Sequence, residues 1–190
     1  IGHLPPNQRR ELGLRAAPEE RLGHAAAPAM SLIENTLMTS HSKDVVDRWG
    51  IINFNNISAK TSSIISEFDV RTPTLNNTAA SLSGGNLQKF VIGREILENP
   101  KVFVVNQPTW GVDAAAAAFI RQSILNLASQ QSAVIVISQD LDELFEICDT
   151  FAVLTNGYMS KTYGLGNLSS EDVGLLMGGS DLDLDSHAET

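Results

Sequence analysis

Short apolar runs alternate along the chain with segments whose apolar residues recur at helical spacing. The runs at 102–106 and 132–138 are almost entirely apolar, and a further short strand candidate lies at 12–17. Runs of this length without polar alternation are typical of the buried strands of parallel sheets. Because helical segments separate the strands, the pattern predicts an α/β fold with a parallel sheet covered by helices on both faces.

The starts of the predicted helices are marked by polar residues that can cap a free N-terminal turn. Ser83 precedes a helix predicted over 84–98, and Asp113 precedes an Ala-rich helix. Ser31 and Glu34 have the spacing of a capping box and predict a further short helix. The sequence therefore predicts at least three capped helices around the strands.

Composition narrows the classes of function. The formal net charge is −9, and no Lys or Arg follows Lys161, so the acidic excess lies mostly in 167–190, which is predicted to be disordered toward its end. No basic stripe occurs elsewhere, so nucleic-acid binding is not expected. Cys148 is the only cysteine, which excludes an internal disulfide and a cysteine-based metal cluster. The four histidines are scattered, so no metal site is expected.

The run Ser83-Gly84-Gly85-Asn86 places a hydroxyl and two glycines at a predicted helix N-terminus. The first turn of a helix has free N–H groups and a partial positive charge, and glycine lets the backbone approach a ligand closely. These residues are therefore candidates for contact with a phosphate group. The alternative is a plain capped helix with a flexible first turn.

The longer run "LSGGNLQK", Leu82 to Lys89, resembles the signature sequence of ABC-transporter ATPases. Three further segments have the order and spacing of that family. The strand at 102–106 and its terminal amides resemble the Walker B segment, "TWGVD" at 109–113 the D-loop, and "VIVISQD" at 134–140 the switch-histidine strand. The resemblance covers about residues 12–166. It implies a truncated P-loop NTPase fold of the ABC-ATPase type, with a parallel sheet that lacks the P-loop strand and with a helical subdomain.

The resemblance also implies a function and a domain arrangement. "PEER" at 18–21 and "MSLIEN" at 30–35 look like the second nucleotide-binding domain of carbohydrate-import ATPases that fuse two such domains, and the signature region looks like the nucleoside-import branch. The implied protein is the ATP-binding component of a sugar or nucleoside importer, with ATP and Mg²⁺ in the full-length assembly. Its implied partners are another nucleotide-binding domain and a transmembrane permease, at the cytoplasmic face of the inner membrane. The implied parts are a linker at 1–11, an ATPase core remnant at 12–42 and 100–166, a helical signature subdomain at 43–99, and an acidic tail at 167–190.

Several positions depart from the family pattern. The chain has no GxxxxGK[ST] P-loop, and we interpret it as a fragment that has lost this segment. Asn106 replaces the Asp that binds Mg²⁺ in the family, and Gln107 replaces the Glu that polarises the attacking water. Gln139 replaces the switch His, and Pro18 lies about where the Q-loop glutamine would fall. An amide cannot act as a general base and cancels no charge on Mg²⁺. The isolated chain is therefore expected to be inactive and to bind no cofactor.

The family residues that act on the domain's own nucleotide are missing or replaced, whereas those that act on a partner's nucleotide are present. This difference predicts an asymmetric pair of ATP sites. The residues that act on a partner's nucleotide in the family are present, namely Ser83, Gly84, Gly85, Asn86 and Asp113. Two alternatives remain open: a non-catalytic structural or regulatory domain that only dimerises with an active ATPase, and a soluble ABC ATPase without a permease, which the lack of basic patches disfavours. An uncovered sheet edge at 102–106 or 133–138 would also permit self-association.

Overall fold

The computed structural model describes residues 1–40, 45, 50–164 and 169–179, and the chain forms two compact units, 1–139 and 140–190. The first unit contains a three-stranded parallel sheet in the order β1-β2-β3. The strands are β1 Leu14–Ala17, β2 Val102–Asn106 and β3 Ala133–Ile137. Each strand lies within one of the apolar runs, so the prediction of a parallel α/β sheet is confirmed.

Five α-helices and a 3₁₀ turn accompany this sheet among the described residues of the first unit. They are α1 Pro6–Glu11, α2 Leu32–Thr39, α3 Phe54–Glu67, the 3₁₀ turn Ala79–Ser81, α4 Gly84–Ile96 and α5 Ala114–Ser129. Helix α4 ends two residues before the predicted end, and α1 lies within the predicted linker. The first residues of the predicted helical subdomain, 43–49 except residue 45, lie outside the described residues.

The predicted caps form as expected. The Ser83 Oγ accepts a hydrogen bond from the N–H of Asn86, and the Asp113 carboxylate accepts one from the N–H of Ala116. Ser31 begins α2 with the complete capping box that its spacing predicts. These bonds explain where the helices begin, because each satisfies an N–H that has no partner within its helix.

The sheet of the first unit is unevenly covered. Phe103 and Val105 of β2 are fully buried, whereas Ile135 and Ile137 of β3 are 53% and 51% exposed. The prediction of a sheet covered on both faces is therefore wrong for β3. Continuous apolar sequence shows what a strand can bury, but it does not show whether this chain supplies the covering element. The open edge that was expected at 102–106 or 133–138 lies at β3, which in the described part of the chain pairs with β2 alone, whereas β2 is paired on both sides.

A buried cluster of charges holds the last turns of α4. Glu95 is fully buried, and its carboxylate lies 2.9 Å from Arg94 and 3.5 Å from Arg10. The Arg94 guanidinium also donates to the carbonyl oxygens of Ala25, at 2.8 Å, and of Asn35, at 3.2 Å. Arg94 therefore fixes the loop after β1 and the helix α2 to α4.

The described residues of the second unit form two helices and two small antiparallel pairs of strands. The helices are α6 Leu141–Ile147 and α7 Ser170–Met177, and the pairs are β4 Thr150–Phe151 with β7 Tyr163–Gly164 and β5 Leu154–Thr155 with β6 Tyr158–Met159. Helix α7 lies within the predicted acidic tail, and residues 180–190, where disorder was predicted, lie outside the described residues. Among the residues that are described, no helix is both long enough and apolar enough to cross a bilayer.

Candidate functional site

A cleft of about 510 Å³ opens at the N-terminus of α4. It is lined by Asp69, Arg71, Ser83, Gly85, Asn86, Lys89, Asp113, Ala115, Ala116 and Phe119. Four of the residues predicted from sequence to contact a nucleotide therefore line one cleft, although they come from two segments of the chain. The fifth, Gly84, is the first residue of α4, between Ser83 and Gly85.

The Ser83 side chain is held in place by its neighbour in the first turn. Its Oγ accepts a hydrogen bond from the Asn86 side-chain amide at 2.9 Å and one from the Asn86 backbone N–H at 3.4 Å. Both bonds use the hydroxyl oxygen as acceptor, so the hydroxyl hydrogen can still be donated. The amides of Gly84 and Gly85 lie in the first turn, where no intrahelical acceptor exists. This end of α4 can therefore offer several donors to an anion.

The first turn of α4 lies close to the D-loop segment, and an added Cβ atom would make only ordinary contacts with it. A Cβ atom on Gly85 would lie 3.5 Å from the Asp113 carboxylate and 3.5 Å from the Ala116 Cβ. A Cβ on Gly84 would lie 3.6 Å from the carbonyl oxygen of Gly111. The signature and D-loop segments thus lie next to one another.

Asp113 is an exposed carboxylate at the edge of the cleft. The hydrogen bond from the Ala116 N–H lowers the pKa of Asp113 below its ordinary value. The residue is therefore ionised at neutral pH and caps α5. Capping alone accounts for the hydrogen bond from Ala116, so the structural role of Asp113 is complete without a ligand.

Besides Ala115 and Ala116, four residues of the cleft were not predicted from the sequence: Asp69, Arg71, Lys89 and Phe119. The Lys89 ammonium lies 3.0 Å from the Asp69 carboxylate and 5.1 Å above the centre of the Phe119 ring. The backbone N–H of Arg71 donates to the side-chain oxygen of Asn86 at 2.9 Å. Lys89 could have been found, because it follows Asn86 by three residues and so shares its face of α4. The other three come from distant segments and have no local signal.

The side-chain amides of Asn106, Gln107 and Gln139 lie at or just beyond the ends of strands β2 and β3 and are not among the residues that line the cleft. In the register of the sheet Asn106 pairs with Ile137, and the Gln107 N–H donates to the Ile137 carbonyl at 2.7 Å. The Gln107 side chain is buried, with a backbone φ of 50°, whereas Gln139 is exposed beyond β3. Because β2 and β3 are parallel and in register, their carboxyl ends lie at the same end of the sheet. The neutral amides do not suit Mg²⁺, which favours carboxylate and water oxygens.

Comparison with known structures establishes the fold. The chain superposes on MJ0796, a dimeric ATP-binding cassette bound to ADP and phosphate, with a TM-score of 0.65, 16% sequence identity, and coverage of 86% of this chain and 68% of that chain. An inward-facing metal-chelate-type ABC transporter gives a TM-score of 0.68 and 19% identity over 87% of this chain and 64% of that one. The fold is that of an ATP-binding cassette ATPase.

Comparison of sequences points to importers. The chain is 33% identical over 180 residues to the guanosine import ATP-binding protein NupO of Bacillus subtilis, covering 95% of this chain and 35% of that protein. It is 32% identical over 182 residues to the nucleoside import ATP-binding protein NupA of Lactococcus lactis, covering 96% and 36%.

A third relative has a sugar as its solute. The galactose/methyl galactoside import ATP-binding protein MglA of Mannheimia succiniciproducens is 33% identical over 161 residues, covering 85% of this chain and 32% of that protein. The chain thus spans about a third of the length of the curated relatives it matches. No protein-family model matches it. The similarity is therefore to ATP-binding components of nucleoside and sugar importers.

Proposed function

We propose that this chain belongs to the second nucleotide-binding domain of a fused two-domain importer ATPase and that it acts on ATP held by the partner domain. In this function its signature and D-loop complete the partner's ATP site, while its own site is degenerate. The cleft at the N-terminus of α4 carries the proposal. It unites Ser83, Gly85, Asn86 and Asp113 in an open site that can donate hydrogen bonds to a terminal phosphate.

The residues at the ends of β2 and β3 support the proposal that the domain's own ATP site is degenerate. Asn106, Gln107 and Gln139 are neutral amides that cannot take up a proton from an attacking water. The proposed assembly therefore hydrolyses ATP at the partner's site, where ATP and Mg²⁺ are held by the partner's own residues. The isolated chain binds no MgATP in this scheme, so calorimetry with MgATP should give no heat of binding.

The solute class follows from the relatives named above, which import guanosine, nucleosides and galactosides. We infer an importer of nucleosides or sugars whose ATP-binding part pairs with a transmembrane permease at the cytoplasmic face of the inner membrane. The solute itself would be selected by the permease and its binding protein. Solute uptake by cells that carry a deletion of the gene would identify it.

The decisive experiment places an arginine in the cleft. Ser83→Arg removes the free hydroxyl and fills the space in front of the first turn of α4. In the ATPase assembly purified from cells with this substitution, ATP turnover should fall by about 10²-fold, the loss expected when a donor to the reacting group is removed. Ser129→Arg, at the exposed far end of α5, is the matched control and should leave turnover unchanged.

A second variant tests the degenerate site. Gln139→Ala changes an exposed amide at the strand end and should leave ATP turnover within about twofold, because this edge contributes no catalytic group. A loss as large as that of Ser83→Arg would show that the domain's own site takes part. Normal turnover in Ser83→Arg would refute the role of the signature in the partner's site.

A non-catalytic structural domain is the second candidate, and it is favoured by the capping bonds, which account for Ser83 and Asp113 without a ligand. A purely structural domain would tolerate Ser83→Arg, provided that the assembly still forms. Size-exclusion chromatography of the Ser83→Arg assembly therefore accompanies the turnover measurement. An intact assembly with normal turnover would establish this alternative.

A further inference from the structure

The guanidinium of Arg21 lies beside both the signature and the D-loop. A Cβ atom on Gly84 would lie 3.1 Å from one terminal nitrogen of Arg21, and a Cβ on Gly111 would lie 3.7 Å from the other. The two ends of one planar group thus face two glycines that belong to different segments. Gly111 has a backbone φ of 62°, which already favours glycine, whereas Gly84 has no such constraint. The space occupied by Arg21 is therefore a separate reason for glycine at position 84.

Arg21 is half-buried, and in the described part of the chain its guanidinium has neither a hydrogen bond nor a carboxylate within ion-pair distance. Burial lowers the pKa of Arg21 from its ordinary value, although the group stays charged at neutral pH. A charged side chain that is partly removed from water without a partner is unfavourable by itself. An ion pair within the described part of the chain therefore does not explain why the guanidinium lies beside the two glycines.

The backbone that carries Arg21 is firmly held. The Ala26 N–H donates to the Arg21 carbonyl at 2.7 Å, and the adjacent Ala25 carbonyl accepts from the buried Arg94 at 2.8 Å. The Asn35 side chain donates to the Ala27 carbonyl and accepts from the Ala27 N–H. The loop after β1 is therefore fixed both to α4 and to α2.

We propose that Arg21 is a positioning residue that sets the spacing between the signature at Gly84 and the D-loop at Gly111, so that both segments approach the partner's nucleotide as one unit. This inference rests on the proposed function, since the spacing matters for turnover only if the signature serves a partner site. The planar fork of the guanidinium is essential to it, because a single ammonium group cannot contact both glycines at once.

The positioning can be measured in this chain without a nucleotide. Amide ¹⁵N relaxation should show lower order parameters at both Gly84 and Gly111 in Arg21→Ala, and Arg21→Lys should not restore them. Arg9→Ala is the matched control, because Arg9 bonds to carbonyls of residues 2 and 4 and does not contact either glycine. Unchanged order parameters in Arg21→Ala, or full recovery in Arg21→Lys, would overturn the inference.

The consequence for turnover is tested in the ATPase assembly. Arg21→Ala should lower kcat by about 10- to 10²-fold, as displacement of a site by about 1 Å does. The KM for ATP should not change, because the nucleotide is held by the partner domain. Normal kcat in Arg21→Ala together with a loss in Ser83→Arg would refute the role of Arg21 and leave the proposed function standing. Normal kcat in both variants would refute the proposed function, and the role of Arg21 in turnover with it.

Discussion

Gly93 lies in the interior of α4, and replacing it by alanine should destabilise the first unit although alanine is the better helix former. A Cβ atom at this position would lie 2.5 Å from Cγ, 2.6 Å from Cδ2 and 3.0 Å from Cδ1 of Phe68. Ordinary contact begins at 3.4 Å, so the Phe68 ring would have to retreat by about 0.9 Å. The ring has little room to do so, because it is 5% exposed and packs edge-on against Phe119 at 5.8 Å.

The size of the effect follows from two opposing contributions. Replacing an interior glycine of a helix by alanine stabilises the helix by about 1 kcal/mol. Forcing an additional methyl group into a packed core costs about 1–3 kcal/mol. Because the Phe68 ring is confined by Phe119, we expect a cost at the upper end, and hence a net loss of about 1–2 kcal/mol in the free energy of unfolding.

Amide hydrogen exchange along α4 is the suitable assay, because it reports on this helix separately from the second unit. A loss of 1–2 kcal/mol corresponds to exchange that is about 5- to 30-fold faster. Gly174→Ala in α7 is the matched control, because no atom lies within 4 Å of the position of its Cβ. Without a clash, the helix preference of alanine should prevail and exchange in α7 should slow.

Slower exchange of the α4 amides in Gly93→Ala would refute this reasoning, since it would mean that the Phe68 ring can move at little cost. A second variant separates the clash from other causes. Phe68→Leu shortens the side chain, so in the Gly93→Ala background it should cause a much smaller loss than it does in the presence of Gly93.

Three further predictions concern charge and reactivity. Arg94→Met should lower the free energy of unfolding by about 3–5 kcal/mol, because it leaves the buried Glu95 without its nearest cation; a loss below about 1 kcal/mol in urea unfolding would contradict this. The hydrogen bond from the Ala116 N–H lowers the pKa of Asp113 in the folded state. The ionised carboxylate therefore stabilises the fold at pH values above its ordinary pKa of 3.8, and this stabilisation is lost as the pH falls through the lower pKa of the folded state. Asp113→Asn, which keeps a cap but does not titrate, should therefore flatten the acid limb of a stability profile, and an unchanged limb would argue against the assignment. Burial raises the pKa of the Cys148 thiol, so iodoacetamide at pH 8 should modify it more slowly in the folded chain than in urea; equal rates would count against the burial of the thiol.

Features that depend on neighbouring residues in the sequence were predictable. The side chains of Ser83, Asp113 and Ser31 cap the helices that follow them, because capping needs only an acceptor placed two or three residues before a free N–H. Helix α7 also had such a signal in Ser169 and Asp172, which form a capping box. The excess of acidic residues in the segment led to the expectation of a tail, although an acid in the first turn favours a helix.

Features that depend on distant residues were not predictable. The apolar run of β3 gave no sign that Ile135 and Ile137 would be half exposed, since exposure depends on what covers the strand. In the candidate site, Asp69 reaches Lys89 from 20 residues away, and Arg21 reaches Gly84 from a loop with no periodic pattern. The glycines were recognised as permitting close approach, but the side chain that occupies the space could be found only from the structure.

The buried charge cluster holds helix α4 at one end, and the cleft lies at its other end. The helix has 13 residues and is therefore about 20 Å long at a rise of 1.5 Å per residue. One end is clamped by Arg94 to the carbonyls of Ala25 and Asn35, and the other end carries the first turn that faces the cleft. A tilt of about 3° about the clamp would move that first turn by about 1 Å, which is the scale on which reacting groups lose their alignment. The contacts of the buried Arg94 therefore determine how accurately the first turn of α4 is positioned at the cleft.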